Sequence, residues 1–581
     1  MGSLPDEPLV YRLAGWAHTR PDLPAYTFVD YLDDPAGVPR GYTWGRLHRE
    51  ASGLAERLCR VADPGDRVAI LAPSGPEYVL ALFAAWYAGM IAVPLFAPDR
   101  PEHADRLAAG YADCAPRCVV TVPRAAAGVR EFLAAGEHRP TLLVLGPEPA
   151  PAQIDPDWRP ASVAWDDVAY LQYTSGSTRS PAGVEITHRN LTENVRQVCA
   201  TLLGGRTRFT AVSWLPLFHD MGLLATVGTP LWGGADAVFF DPAAFLMQPV
   251  RWLRQLSGRP AACTAAPNFA YDYCARRLRP DDLDGVDLRG VVLWLNGAEP
   301  VLAGTMERFF GLLAGTGLDA GAMCPAYGLA EATVFVTADR TGRPPRATRF
   351  DAERLAGGEA VPAPEGAPGS TLASCGRPPA GQRVTIVDPE RCTAAPAGRV
   401  GEIWVHGPNV ADRYWGKPEL SARVFDAVLA GPVPAGLPAG PWLRTGDLGV
   451  LHDGDLYVTG RLKDLIVLAG RNHYPQDVEE TVSLANPSVG RAAAFSVTVE
   501  DRERVVVVCE VPGPRDRLAA EAARQTRAAV WQRHDLVLHE VVFVAPGGIP
   551  RTTSGKMSRT RCRDQYLAGD YRLVAGGRAH V

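Results

Sequence analysis

Residues 171–188 read LQYTSGSTRSPAGVEITH, which crowds Thr174, Ser175, Gly176, Ser177 and Thr178 into one short loop. Backbone N–H groups and hydroxyls gathered in this way wrap phosphate oxygens, as anion-binding nests do. A Walker loop does not fit, because Val184 follows Gly183 and no Lys-Ser or Lys-Thr comes after it. Positive charge for a phosphate must then arrive from elsewhere; a plain Ser/Gly hairpin is the other reading of this stretch by itself. Four further stretches carry chemistry. In YGLAE, the Tyr327 ring can lie against a base and Glu331 can hold a magnesium ion that bridges phosphates. In LRTGDLG, Asp447 suits the two hydrogen bonds of a ribose diol. In GRLKD, the Arg461 guanidinium can fork onto ribose or phosphate oxygens. In IPRTTSGKMSR, Lys556 stands on a Gly-Ser loop near the C-terminus. Singly, these residues read equally as a surface acid, a turn aspartate, a salt-bridged arginine and a lysine in a basic tail.

The elements that must position them follow from the apolar pattern. Runs such as DRVAILAPSGPEYVLALFAAW, VVLWLNGAEP and VAYLQYTSGS alternate strands with polar loops and helices, which predicts an α/β protein with buried, largely parallel sheets. Val184 and Ile186 alternate with polar neighbours, so the Ser/Gly loop is expected to join two strands instead of opening a helix. From about Arg383 the strands shorten and Gly/Asp turns multiply, as in a small barrel or hairpin layer. After Arg461 the texture is compact α+β, with the helix candidate PQDVEETVSLA and the strand RVVVVCEV. At 581 residues the chain exceeds one ordinary core. The division expected is a large domain over 1–460 and a small C-terminal lid over 461–581.

Composition narrows the function classes. With 47% hydrophobic residues the chain is globular, and a formal net charge of -5 gives no support to nucleic acid or an anionic membrane as main partner. The 11 cysteines include no C-x-x-C pair, which fits a reduced, cytoplasmic protein. The apolar stretch 78–96 approaches membrane-spanning length. Gly89 and Pro94 interrupt it, so a buried helix over 77–87 and a strand near 91–94 are expected, with no transmembrane segment. The N-terminus has neither signal-peptide regions nor a myristoylation pattern, since Asp6 takes the Ser/Thr position.

Together and in this order, the motifs resemble the ANL superfamily of adenylate-forming enzymes over nearly the whole chain. LQYTSGSTRSPAGVEITHRNL, SWLPLFHDMGLL, NGAEPV, AYGLAEATVFVT and GRNHYPQDVE resemble its fatty acyl-AMP ligase branch more closely still. Two departures from the wider superfamily point the same way: Ala182 replaces the usual lysine of Pro-Lys-Gly, and Ala330 replaces the threonine of Y-G-x-T-E. The resemblance implies a large N-terminal domain with parallel-type sheets plus a small barrel, and a smaller, mobile α+β C-terminal domain. It implies ATP and Mg2+ as cofactors, a fatty acid as substrate, and transfer to the phosphopantetheine arm of an acyl carrier protein or synthase. Because the chain ends soon after the lysine motif, that acceptor is expected to be a separate protein.

Residue by residue, the resemblance gives Lys556 the role of bridging carboxylate and α-phosphate. Gly297, Ala298 and Glu299, with Tyr327 and Gly328, frame adenine, while Asp447 and Arg461 hold ribose. His219 of PLFHDMGL stands near the acyl carboxylate, although a hydrogen-bonded core histidine is its plainer reading; His188 is given a structural role. Lys463 resembles the family hinge, with an ordinary surface lysine as the alternative. Residues 341–373, with the helix candidate FDAERLA, resemble the insertion that distinguishes this branch from acyl-CoA ligases; a solvated loop is the other reading. An acyl-CoA ligase and a catalytically silent nucleotide- or lipid-binding homologue are the alternatives for the whole chain.

Overall fold

The computed structural model describes residues 7–99, 103–146, 158–173, 181–339, 341–367, 369–468, 471–486, 488–499, 502–511, 516–552 and 556–580. The loop residues Thr174, Ser175, Gly176, Ser177 and Thr178 lie outside them.

Two large sheets carry the first two-thirds of the chain, and both are parallel except at their edges. One has six strands in the order Thr141–Val144, Cys118–Thr121, Arg67–Leu71, Ile91–Leu95, Val168–Tyr173, Gly183–Thr187. Its last pair is antiparallel, with Tyr173 opposite Gly183, so the Ser/Gly loop does leave one strand and return along its neighbour. The other has eight strands, with Ala262–Pro267, Val291–Gly297 and Met323–Gly328 side by side and parallel. Parallel strands covered on both faces must be apolar on both, and Arg67–Leu71 and Ile91–Leu95 are indeed buried almost throughout.

The apolar stretch 78–96 forms the helix Pro76–Tyr87 and the strand Ile91–Leu95. Tyr78 Oη donates to Leu95 O at 2.9 Å and Trp86 Nε1 to Ala169 O at 2.9 Å, so the helix is apolar because it is buried in protein. Among the described residues no helix is long and apolar enough to cross a membrane.

The short-strand region is a four-stranded antiparallel sheet: Arg383–Val387, Gly401–His406, Leu443–His452, Asp455–Arg461. Beyond it, Ala492–Val499, Arg502–Glu510, Leu538–Val544 and Leu573–His580 form another four-stranded sheet, covered by the helices Pro475–Ala485, Asp516–His534 and Arg559–Ala568.

Residues 347–373 are not a solvated loop. The strands Ala347–Asp351 and Gly369–Ala373 pair antiparallel, and Asp351 caps the short helix Ala352–Ala356. Phe350, expected in that helix, is in the strand and fully buried. Its ring lies edge-on to Tyr457 of the barrel-like sheet, and it belongs to a cluster with Leu355, Leu372 and Val450 that also takes in Tyr474 of the C-terminal segment. Ser370 Oγ donates to Asp477 Oδ2 at 3.1 Å, a second tie to the C-terminal segment.

Candidate active site

A cavity of about 930 Å³ opens between the large sheets, the barrel-like sheet and the C-terminal elements. His219, Glu299, Glu331, Asp447, Arg461 and Lys556 all reach its wall, as do Gly297, Ala298, Tyr327, Gly328 and Lys463. Every described residue of the expected site therefore converges on one space, although they span more than 330 positions of sequence.

Asp447 and Arg461 stand directly opposite each other on the antiparallel strands Leu443–His452 and Asp455–Arg461. Arg461 Nε lies 3.0 Å from Asp447 Oδ1, and Tyr327 Oη donates to Asp447 Oδ2 at 2.8 Å. Both carboxylate oxygens are thus already oriented by donors, which is how a small acid is fixed to receive a diol. Gly328 allows the strand behind it to approach: a Cβ there would lie 1.7 Å from Val334 O.

Glu299 follows Ala298, whose φ of 66° turns the chain sharply at the end of Val291–Gly297. Glu299 Oε1 accepts from the Phe269 amide, while burial pushes its carboxyl above the ordinary range. Glu331 sits in the short turn Ala330–Ala332, and burial raises it too, against the hydrogen bond that Tyr414 Oη donates to Oε1 at 2.7 Å.

His219 Nδ1 is 2.7 Å from Asp220 Oδ1. Burial pushes Asp220 upward, but the neighbouring His219, then Lys556 and the Met221 amide, outweigh it and hold the carboxyl at about 2. His188 lies off the cavity wall, buried and edge-on to Trp86 at 6.3 Å, with burial lowering its pKa to about 4. That is the environment of a structural histidine.

Lys556 is held by its own chain: its amide donates to Thr552 Oγ1 at 3.2 Å and its carbonyl accepts from Thr552 N at 2.7 Å. Burial pulls its ammonium below the ordinary lysine range, with Asp220 opposing most strongly. Arg559, three residues on, forks onto Glu479 with two bonds of 2.7 Å and reaches Asp464 at 3.4 Å. This ties the lysine segment to the helix Pro475–Ala485 and to the turn Leu462–Asp464 that carries Lys463.

Part of the cavity wall is apolar: Val198 in the last turn of the helix His188–Thr201, Leu202 and Leu203 just after it, and Leu293 and Ala211 from the sheet. Two threonine hydroxyls on the wall are spent inside the protein. Thr264 donates to Val212 O at 2.7 Å and accepts from Trp252 Nε1 at 2.9 Å; Thr229 donates to Leu224 O at 2.9 Å. Such side chains suit a hydrocarbon chain, because these two hydroxyls leave no donor for it to strand.

Four residues on the wall or beside it were missed in the sequence: Arg106, Asp220, Tyr414 and Arg559. Asp220 adjoins His219 in a quoted motif and was within reach. Tyr414 lies 83 positions from Glu331 and carries no local signal of that pairing. Arg106, also on the cavity wall, is pushed down to about 10 by burial and then by Arg561.

The profile of AMP-binding enzymes matches residues 13–415, and that of the AMP domain of Disco-interacting protein 2-like proteins matches 463–575. The chain belongs to the AMP-binding enzyme family, whose fold the two large sheets and the cavity display. It is 42% identical over 574 residues to the long-chain-fatty-acid–AMP ligase FadD26 of Mycobacterium marinum, with 96% of each chain covered. The structure of a fatty acyl-adenylate ligase from L. pneumophila, solved with acyl adenylate and pyrophosphate, matches at 32% identity and a TM-score of 0.72, covering 98% of this chain and 97% of that one. A structure from work on such ligases of E. coli and L. pneumophila gives a TM-score of 0.84 at 30% identity, covering 98% and 99%. Within the family, the chain stands in the fatty acyl-AMP ligase branch.

Proposed function

We propose that the chain condenses a fatty acid with ATP to an acyl-adenylate and passes the acyl group to the phosphopantetheine thiol of a carrier protein or synthase. The observation that carries this is a single cavity whose wall joins apolar side chains, among them Val198, Leu202 and Leu293, to the polar set Asp447, Arg461, Glu299, Glu331 and Lys556.

In this reading Asp447 and Arg461 hold the ribose, and Gly297, Ala298, Glu299, Tyr327 and Gly328 border adenine. The fatty carboxylate enters along the apolar part of the wall past His219. One of its oxygens attacks the α-phosphorus, the bond to the β-phosphate oxygen breaks, and pyrophosphate leaves. Two anions must meet at this step, so the chemistry is chiefly positioning and electrostatic stabilisation. Lys556, withdrawn from water among acids, supplies its charge where dielectric screening is weak. In the second step a thiol sulfur attacks the acyl carbonyl and AMP departs.

Glu331 fits a magnesium site. Among the described residues no group of three or more His, Cys, Asp or Glu gathers to form an all-protein cage. Mg2+ is ordinarily held by one or two carboxylates plus substrate phosphates. Glu331 on the cavity wall, with Oε1 taken by Tyr414, offers one such carboxylate. Bound there, the ion would neutralise phosphate charge.

Residues 461–581 act in this scheme as the lid that brings Lys556 in, with Lys463 at its hinge. The hairpin 347–373 grips both that lid and the barrel-like sheet, which disfavours the rotation needed for thioester formation on free coenzyme A. The test is pyrophosphate exchange into ATP, with a series of fatty acids and both acceptors. Exchange that needs a fatty acid, with acyl-AMP accumulating beside CoA, is expected. Exchange without a fatty acid refutes the substrate, and efficient acyl-CoA synthesis refutes the acceptor.

A further inference from the structure

Between the helices Asp220–Leu223 and Thr229–Gly233 the chain widens into one π-helical turn, Leu224–Gly228. Pro230 favours it. An α-helical register would leave Thr226 O without the donor that a proline cannot supply and would press the pyrrolidine ring against it. In the wider register the Thr229 amide donates to Leu224 O, five residues back. The Thr229 hydroxyl donates to the same carbonyl at 2.9 Å, although helical hydroxyls ordinarily bond four residues back. Tyr26 Oη, from the strand Pro24–Asp30, donates to Val227 O at 2.8 Å. Two side chains, Thr229 and Tyr26, thus hold the turn in its wide form.

π-Helical turns are rare and collect at functional sites, and this one stands on the cavity wall. Leu224, Ala225 and Thr229 line the cavity, continuing the wall that Phe218, His219 and Met221 begin. Elsewhere the turn meets the helix His188–Thr201, where a Cβ on Gly228 would lie 2.9 Å from Val195 Cγ2. Val195, Val198 and Leu202 share one face of that helical stretch by their spacing, and the latter two are on the wall. The π turn therefore joins the His219 end of the wall to its apolar side chains. Every residue from 221 to 231 is buried except Ala225.

We infer that the π turn is the acyl-specificity element of this enzyme, and that Ala225 sets how much acyl chain is admitted beyond the carboxylate. The inference deepens the proposed function and rests on it. A turn that served only to accommodate Pro230 would keep all its residues buried, as the flanking ones are. This one leaves a single accessible methyl group, on a residue of the cavity wall. A larger side chain at 225 takes cavity space from the substrate, and one methylene more or less in an apolar pocket changes discrimination by about 10- to 200-fold.

The test is acyl-AMP formation with straight-chain acids from hexanoate to stearate, read by mass spectrometry as kcat/KM, with the KM for ATP measured beside it. The quantity compared is the ratio of kcat/KM for the longest acid that the unaltered protein activates to that for hexanoate. In Ala225→Leu this ratio is expected to fall at least about tenfold, with the KM for ATP unchanged, and Ala225→Val should fall between. Thr229→Val keeps the side-chain shape but removes the hydroxyl bond to Leu224 O. It should move the ratio about fivefold, the worth of one hydrogen bond, and Thr229→Ser should restore it. An unmoved ratio in both Ala225 variants overturns the inference. A fall shared equally by all acids, with a raised KM for ATP, makes the turn a brace of the fold and overturns it too. If the unaltered protein activates none of the acids, the proposed substrate itself is refuted and the inference falls with it.

Discussion

Phe350→Ala tests the grip of the hairpin 347–373 on its surroundings. The Phe350 side chain is fully buried, with its ring edge-on to His452 at 5.4 Å and to Tyr457 at 5.3 Å. Truncating a buried phenylalanine to alanine costs about 3–5 kcal/mol, lost edge-to-face packing included. At about 1.4 kcal/mol per factor of ten, the ratio of docked to undocked hairpin falls by roughly 10² to a few times 10³. Phe350 is not on the cavity wall, so acyl-adenylate formation should stay near its original rate. The freed lid should turn further, and acyl-CoA formed per acyl-AMP should rise. Mass spectrometry of both products in the presence of CoA reads the outcome, and hydrogen exchange across 347–373 shows whether the hairpin has loosened. A variant with lost protection there but unchanged acyl-CoA output would refute the reasoning, because the grip would then be irrelevant to acceptor choice.

Three further outcomes are expected. Lys556→Ala should lower acyl-adenylate formation by at least about 10² to 10³, the cost of one well-placed stabilising donor, while ATP binding by calorimetry largely survives. Asp447→Ala should chiefly raise the apparent KM for ATP, because the bonds to ribose proposed for it would exist before the transition state; an unchanged KM would count against the assignment. Asp477, which accepts the Ser370 bond, is pushed from 3.8 up to about 7, foremost by burial, with Ser370 and Arg533 opposing and Glu480 and Glu479 adding. A carboxyl whose folded pKa is raised adds stability below its unfolded value and loses it as pH rises through the folded one. Thermal stability should therefore decline between about pH 4 and pH 7 through this group, and Asp477→Asn should flatten that part of the profile.

Much of the site was legible because its residues lie in short, chemically dense stretches. The acid of GDLG and the tyrosine and glutamate of YGLAE sit in stretches of four or five residues, and the structure brings all three to one cavity wall. The helix Pro76–Tyr87 and the antiparallel return at Gly183 were also legible, since proline, glycine and alternation act locally. The hairpin at 347–373 was less so. Its helix candidate began two residues too early, because Phe350 pairs with Ser370 and joins a core that includes residues 100 positions later, a partner that no local pattern encodes.

The sequence by itself determined the α/β alternation and a set of short motifs whose order carries the resemblance to adenylate-forming enzymes, and that resemblance supplied the candidate adenosine and carboxylate contacts. Motifs of this kind rest on near-neighbour residue order, which is written directly in the chain. Tertiary structure alone decided how they act together. It set Tyr327 and Arg461 on the two oxygens of Asp447, placed Lys556 on the cavity wall near Asp220 and Glu299, and brought Tyr414 onto the Glu331 carboxylate. Each of these joins segments 14 to more than 300 positions apart. Their energies depend on distance and burial in space, and those quantities exist only once the chain has folded.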